Sequence, residues 1–165
     1  LIACGKGISS SLPISAVIGR EDIMGIYAPG SMTSTHSGSP LCVAAAIENL
    51  KIIEGEKLVE NAAAMGEIMC SELERIQQKY PTRLGCFHGK GLVAGIQCVE
   101  PGTKTPDPKT AVEINLKCLQ KGLLMFAPVG IGGECLKIAP PLTINEEALR
   151  ESLEIFEESC DEVLG

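Results

Sequence analysis

Residues 2–20 read Ile2-Ala3-Cys4-Gly5-Lys6-Gly7-Ile8-Ser9-Ser10-Ser11-Leu12-Pro13-Ile14-Ser15-Ala16-Val17-Ile18-Gly19-Arg20. Leu1 to Cys4 has the make-up of the end of a buried strand, and Gly5 to Ser11 is a loop of small residues. PISAVIG, Pro13 to Gly19, is a second apolar run that breaks at the charged Arg20-Glu21-Asp22. The second run reads as a buried strand of a parallel sheet. Lys6 stands just past the first run, between two glycines. Lysines are seldom enclosed without a reason, and an amine delivered by a strand into a glycine turn can act as a nucleophile toward a carbonyl and as a proton shuttle. The plainer alternative is a surface lysine in a turn. A phosphate loop is excluded: no glycine lies five residues before Gly5-Lys6, and Gly7 rather than Ser or Thr follows the lysine.

Outward from this stretch, Pro29-Gly30 marks a turn and Ser31 to Ser39 a polar segment. Ser39-Pro40 supplies a helix cap followed by proline at the first helical position, so a helix is predicted to about Glu54, closed by Gly55. A second helix to Tyr80 follows from Leu58, Ala62, Met65, Met69, Leu73 and Ile76 at three- and four-residue steps, with Pro81 as its stop. Gly91 to Val99 reads as a strand, Pro101 to Pro108 as an exposed loop, and Lys109 to Lys121 as a helix closed by Gly122. Short strands are expected at Leu123 to Phe126 and Cys135 to Ala139, around the glycine loop Val129 to Glu134, which either joins them or forms an anion-binding nest. The last helix starts near Thr143 or Asn145 and aligns Leu149, Leu153, Phe156, Cys160 and Val163 on one face. The result is a mixed α/β organisation with a boundary near Gly55, separating residues 1–54 from 55–165.

The chain has 165 residues, 45% of them hydrophobic and 3% aromatic, so its interior is built from aliphatic side chains and offers few stacking surfaces for nucleic-acid bases. A net charge of −7 repels a phosphate backbone, which argues against a nucleic-acid partner. Mean hydropathy is +0.20, yet no apolar run approaches the length of a membrane-spanning helix, and no membrane partner is expected. Eight cysteines are spread evenly, without a Cys-x-x-Cys pair, and the only histidines are His36 and His88. The cysteines read as small core residues in a reducing cytoplasm, and no spacing points to a metal. The chain opens on Leu1 rather than Met, which leads us to expect a piece of something longer.

Read as a whole, Ile2 to Arg20 resembles the lysine segment of class III pyridoxal-phosphate aminotransferases, in which a strand delivers the cofactor lysine, a glycine-rich turn follows, and a Pro-x-(Ser/Ala)-(Ala/Gly)-Val run comes next. Thr35-His36-Ser37-Gly38-Ser39-Pro40-Leu41-Cys42-Val43-Ala44-Ala45-Ala46 resembles that family's Thr-x-x-Gly-Asn-Pro helix start, in matching order and separation. The likeness continues through Gly89-Lys90-Gly91-Leu92 and Gly122-Leu123-Leu124 to Ala139-Pro140-Pro141-Leu142-Thr143-Ile144, so it covers essentially the whole chain. Its texture is that of the 4-aminobutyrate aminotransferases.

The resemblance implies fold type I: the end of a large cofactor domain over residues 1–54, then a small carboxy-terminal α/β domain over 55–165. It implies that Lys6 carries pyridoxal 5′-phosphate and shuttles the substrate proton. Thr35 is expected to bind the cofactor phosphate, in the family usually that of the partner subunit of a homodimer. The substrates implied are an amino donor, such as an ω-amino acid, and a 2-oxo acid. Three places depart from the family. Ser9, Ser10 and Ser11 stand where the family often has glycines, which still allows a tight turn but adds side chains near the cofactor. Ser39 replaces the Asn of Gly-Asn-Pro, and Lys137 stands where the family has an arginine that clamps the substrate carboxylate. Lysine gives one ammonium in place of a planar fork, and Lys137 is either the substrate anchor or a solvated strand-end residue. The phosphate loop, ring-stacking aromatic and ring-nitrogen aspartate of the family lie upstream of the lysine and are not among these residues, so the chain by itself is expected to be inactive. The alternatives are an aminomutase, epimerase or decarboxylase that uses the same lysine, or a non-catalytic α/β binding module.

Overall fold

A computed structural model describes residues 1–165, which form two compact units, Leu1–Leu58 and Val59–Gly165. The first unit opens with strand β1 (Ile2–Cys4) and a one-turn 3-10 helix (Lys6–Ser9). Strand β2 (Ala16–Ile18), the short helix α1 (Glu21–Met24), a run of turns and helix α2 (Pro40–Gly55) complete it. β1 and β2 pair antiparallel, Ile2 opposite Ile18 and Cys4 opposite Ala16. Strand β2 is shorter than the apolar run predicts, three residues, its neighbour here is antiparallel rather than parallel, and Val17 and Ile18 are 54% and 59% exposed. Pro13 has no N–H to give a ladder, and a two-stranded ribbon has no second layer within the unit to cover its faces.

Pro40 starts α2 as predicted, although the Ser39 side chain makes no capping bond; the first helical bond runs from Val43 N–H to the Ser39 carbonyl. Gly55 is the last helical residue, and the left-handed position lies at Lys57, with φ 53°.

The second unit holds α3 (Leu58–Lys79, whose first residue closes the first unit), β3 (Leu84–Lys90), β4 (Val93–Cys98), α4 (Pro108–Gln120), β5 (Cys135–Ile138) and α5 (Glu146–Leu164). Its three strands form one antiparallel sheet in the order β3-β4-β5. Along β4, Ala94, Ile96 and Cys98 are buried and alternate with more accessible Val93, Gly95 and Gln97, the period of a sheet covered on one face. The covering stripes are Met69, Leu73 and Ile76 of α3, Ala111, Ile114 and Cys118 of α4, and Leu149, Leu153, Phe156 and Cys160 of α5. Gly66 permits the approach of α3 to the β3–β4 turn, since a Cβ there would lie 2.4 Å from the Gly91 Cα.

Helix ends follow local chemistry. Asp107 caps α4 by accepting from Thr110 N–H at 3.0 Å, and Asn145, not Thr143, caps α5 by accepting from Ala148 N–H at 2.9 Å. Gly122, φ 93°, closes α4. Leu123 to Phe126 is not a strand: the glycine loop meets β5 through a single bridge at Val129 and Cys135, and Pro128 cannot donate to extend it. All eight cysteines are free thiols, but only Cys98, Cys118 and Cys160 are buried, fewer than a uniform core role implies. No helix is long and apolar enough to cross a membrane.

Candidate active site

Lys6 lies where β1 gives way to the 3-10 turn, exposed, with φ at 50°, in the left-handed region. It takes part in none of the ion pairs. The turn is closed by Ile8 N–H to the Gly5 carbonyl and Ser10 N–H to the Gly7 carbonyl, each 3.2 Å. At its far end Ser10 has φ 64° and ψ −62°, and Ser11 N–H bonds the Ser9 carbonyl at 2.8 Å. That is a γ-turn of the strained hand. Two side chains tie the turn down. The buried Ser9 hydroxyl donates to the Leu12 carbonyl, and Asn49 Nδ2 donates to the carbonyls of Gly7 and Ile8 at 2.9 and 3.1 Å. Asn49 escaped the sequence reading. The signal was one polar residue in the otherwise apolar helical stripe of Cys42, Ala45, Ala46 and Ile53.

Thr35 belongs to the same unit, exposed in a turn ahead of α2. Ser37 N–H donates to the Ser34 carbonyl at 3.1 Å, and Ser34 N–H donates to the Ser37 hydroxyl at 3.1 Å. The serines shape the turn and leave the Thr35 hydroxyl out of those bonds. His36 is exposed beside it, and His88 is exposed on β3.

Lys137 belongs to the second unit, half-buried on β5 opposite Gly95. Its Nζ stands 4.5 Å from the centroid of the Phe126 ring, a cation–π contact. It lines a cavity of about 510 Å³ walled by Leu123, Met125, Phe126, Ile138, Leu149 and Phe156. An ammonium at the wall of an apolar cavity, paired with an aromatic face rather than an acid, is suited to meet a carboxylate. The anion nest weighed for the glycine loop is filled by the chain itself. The carboxylate of buried Glu134 accepts from Gly132 N–H at 2.9 Å, and a Cβ on Gly130 would lie 2.9 Å from both of its oxygens. Burial pushes the Cys98 thiol up to about 12 and moves Cys118 and Cys160 in the same direction. These thiols stay protonated at neutral pH, which leaves them inert beside an amine nucleophile.

The family described as Aminotransferase class-III matches residues 1–160. The 4-aminobutyrate aminotransferase GabT of Escherichia coli is 34% identical over 163 residues, covering 98% of this chain and 38% of that protein. An alanine/serine racemase of Pyrococcus horikoshii is 35% identical over 164 residues, covering 99% of this chain and 34% of the racemase. Among solved structures, an acetylornithine aminotransferase from Elizabethkingia anophelis superposes with a TM-score of 0.83 at 34% identity, over 97% of this chain and 40% of that one. The chain thus spans little more than a third of the length of the curated relatives it matches. Because the match runs without a break from the strand that delivers Lys6 into the last helix, and a solved relative has the same backbone path, the chain belongs to the class III aminotransferases, with the mixed α/β architecture of fold type I pyridoxal-phosphate enzymes.

Proposed function

We propose that these residues serve an enzyme that moves an amino group from an amino acid, an ω-amino acid such as 4-aminobutyrate, to a 2-oxo acid with pyridoxal 5′-phosphate as cofactor. The observation that carries the reading is Lys6, an amine without an ion-pair partner, held by a strained turn at the end of a strand. Backbone strain persists where the surroundings over-determine it, and it gathers at functional sites.

The donor set fits the cofactor: a primary amine for its aldehyde, and at Thr35 a hydroxyl outside its own turn's bonds for its phosphate. When bound, the cofactor would supply the electron sink that acidifies the C–H of the substrate's amine-bearing carbon. Lys6 Nζ would take the proton from the amine-bearing carbon and pass it to the cofactor's aldehyde carbon, work that needs an amine fixed within hydrogen-bond reach. Thr35 orients the phosphate end. Lys137 pairs its ammonium with the substrate carboxylate while Phe126 keeps the charge at the cavity wall.

In this reading Leu1–Leu58 ends the large cofactor domain and Val59–Gly165 is the small domain. The whole enzyme is a cytoplasmic homodimer that adds the phosphate loop, ring-stacking aromatic and ring-nitrogen aspartate. Transfer is tested by supplying the whole enzyme with cofactor, 4-aminobutyrate and a 2-oxo acid and following the amino acid formed from the oxo acid. Lys137→Arg is expected to improve kcat/KM for carboxylate-bearing donors over simple amines, since arginine restores a two-pronged contact; equal change for both classes removes Lys137 from the substrate site. The second reading, racemisation or epimerisation without net transfer, is favoured by the racemase at 35% identity. It predicts loss of optical purity in L-alanine or L-serine without an oxo acid present. Aminomutase and decarboxylase chemistry would start from the same proton transfer. A non-catalytic module would leave the strained lysine turn without a use.

A further inference from the structure

We infer that Asn49 is a positioning residue for Lys6: its side-chain amide clamps the turn that carries the lysine and fixes how the amine is presented. This rests on the reading of Lys6 as the cofactor lysine and adds to it a residue on α2.

A single 3-10 turn does not hold itself, because nucleating a helix fixes several dihedrals for few hydrogen bonds. Here the turn is flanked by two positive-φ residues that are not glycine, Lys6 at 50° and Ser10 at 64°. Left alone, both relax. What opposes relaxation is the amide of Asn49, which spans two consecutive carbonyls, Gly7 at 2.9 Å and Ile8 at 3.1 Å. The Gly7 carbonyl also accepts from Ser10 N–H, so Asn49 and the turn's own closing bond meet at one oxygen. The clamp comes from the third turn of a 16-residue helix, a rigid support. Asparagine is a poorer helix former than leucine, and its neighbours on that stripe are apolar, so α2 itself gains nothing from the amide. Its partners are the two carbonyls next to Lys6.

The test measures the rate at which pyridoxal phosphate and borohydride modify Lys6, resolved by peptide mass against Lys51 on the same helix. It uses the whole enzyme with Asn49, Asn49→Leu, Asn49→Asp and Asn49→Gln. Leucine suits the stripe, so the melting temperature holds, while loss of two neutral hydrogen bonds slows Lys6 modification about tenfold with Lys51 unchanged. Aspartate matches the shape of Asn49 but cannot donate, and behaves as leucine. Glutamine keeps the donors on a longer arm and recovers part of the rate. An unchanged or faster Lys6 rate in folded Asn49→Leu and Asn49→Asp overturns the inference and leaves the Lys6 reading standing. Lys6 modified no faster than Lys51 in the unaltered chain removes that reading, and the inference with it.

Discussion

Val59–Gly165 closes a core around Met69, Leu73, Ile96, Ile114, Leu136 and Phe156, each at most 2% exposed, whereas Leu1–Leu58 buries only Ser9, Ala46 and Leu58. The first unit leaves Ile2, Val17, Ile18 and Leu41 more than half exposed. Yet Lys6 and Thr35, the proposed cofactor residues, lie in that unit, and it contains all three non-glycine residues at positive φ, two of which, Lys6 and Ser10, flank its lysine turn. Order in the two units therefore has different sources. Burial fixes the second. Within these 165 residues, directed hydrogen bonds from Asn49 and Ser9 tie down the turn of the first that carries Lys6.

The sharpest way to break this contrast is to remove matched side chains. Ile96→Ala, in the centre of the sheet, is expected to cost about 2–5 kcal/mol of unfolding free energy, because a filled space becomes a cavity. In the 165-residue chain, Val17→Ala, on the exposed ribbon, is expected to fall within about 0.5 kcal/mol of zero. Chemical denaturation of both variants decides it, and equal losses would mean that the ribbon is as much a core as the sheet.

Thr35→Ala sharpens the contrast from the functional side. A hydrogen bond to a charged phosphate is worth about 1.5–3 kcal/mol, or about ten- to a hundred-fold in cofactor affinity. The cofactor dissociation constant should rise by that factor while the denaturation midpoint stays where it was. A shifted midpoint with unchanged affinity would assign Thr35 to the fold instead.

The smallest effect belongs to the second unit's surface. Arg75 donates to Glu157 and Glu72, and Lys79 donates to Glu157 and to Asp161. The hydrogen bonds from Arg75 hold the Glu157 carboxyl down at about 2. A carboxylate with a depressed folded pKa stabilises above its unfolded value, and that stability is lost as pH falls through the folded value. Stability should therefore decline between about pH 4.5 and 2. Because Arg75 is half exposed, the loss is about 0.2–1 kcal/mol. Acid titration of Glu157→Gln should lack that component.

Much of the second unit was legible because its signals are local and periodic. The stripes of α3 and α5, Pro81 and Gly122 at helix ends and the β4 and β5 strands lie close to where the residues placed them, as does Pro40 at the start of α2 in the first unit. The failures have physical causes. Leu123 to Phe126 is apolar enough for a strand but has no ladder, since Pro128 and the glycine loop intervene. PISAVIG has strand composition, and composition does not say how many neighbours a strand finds. The glycine loop had the make-up of a nest, and Glu134 at its own end fills it. For the proposed site, the residue types and spacing of Lys6 and Thr35 stand in the sequence itself, and their roles rest on the resemblance to the family. The clamp from Asn49 could not, because a contact between residues 49 and 7 leaves no periodic mark.

The central claim, that Lys6 is the cofactor lysine, is tested most directly by where pyridoxal phosphate becomes attached. The protein is equilibrated with the cofactor, reduced with borohydride, digested and mapped. The account predicts the pyridoxyl group on the peptide containing Gly5-Lys6-Gly7, lost in Lys6→Ala; its appearance on Lys51, Lys137 or another lysine, with Lys6 unmodified, would contradict it.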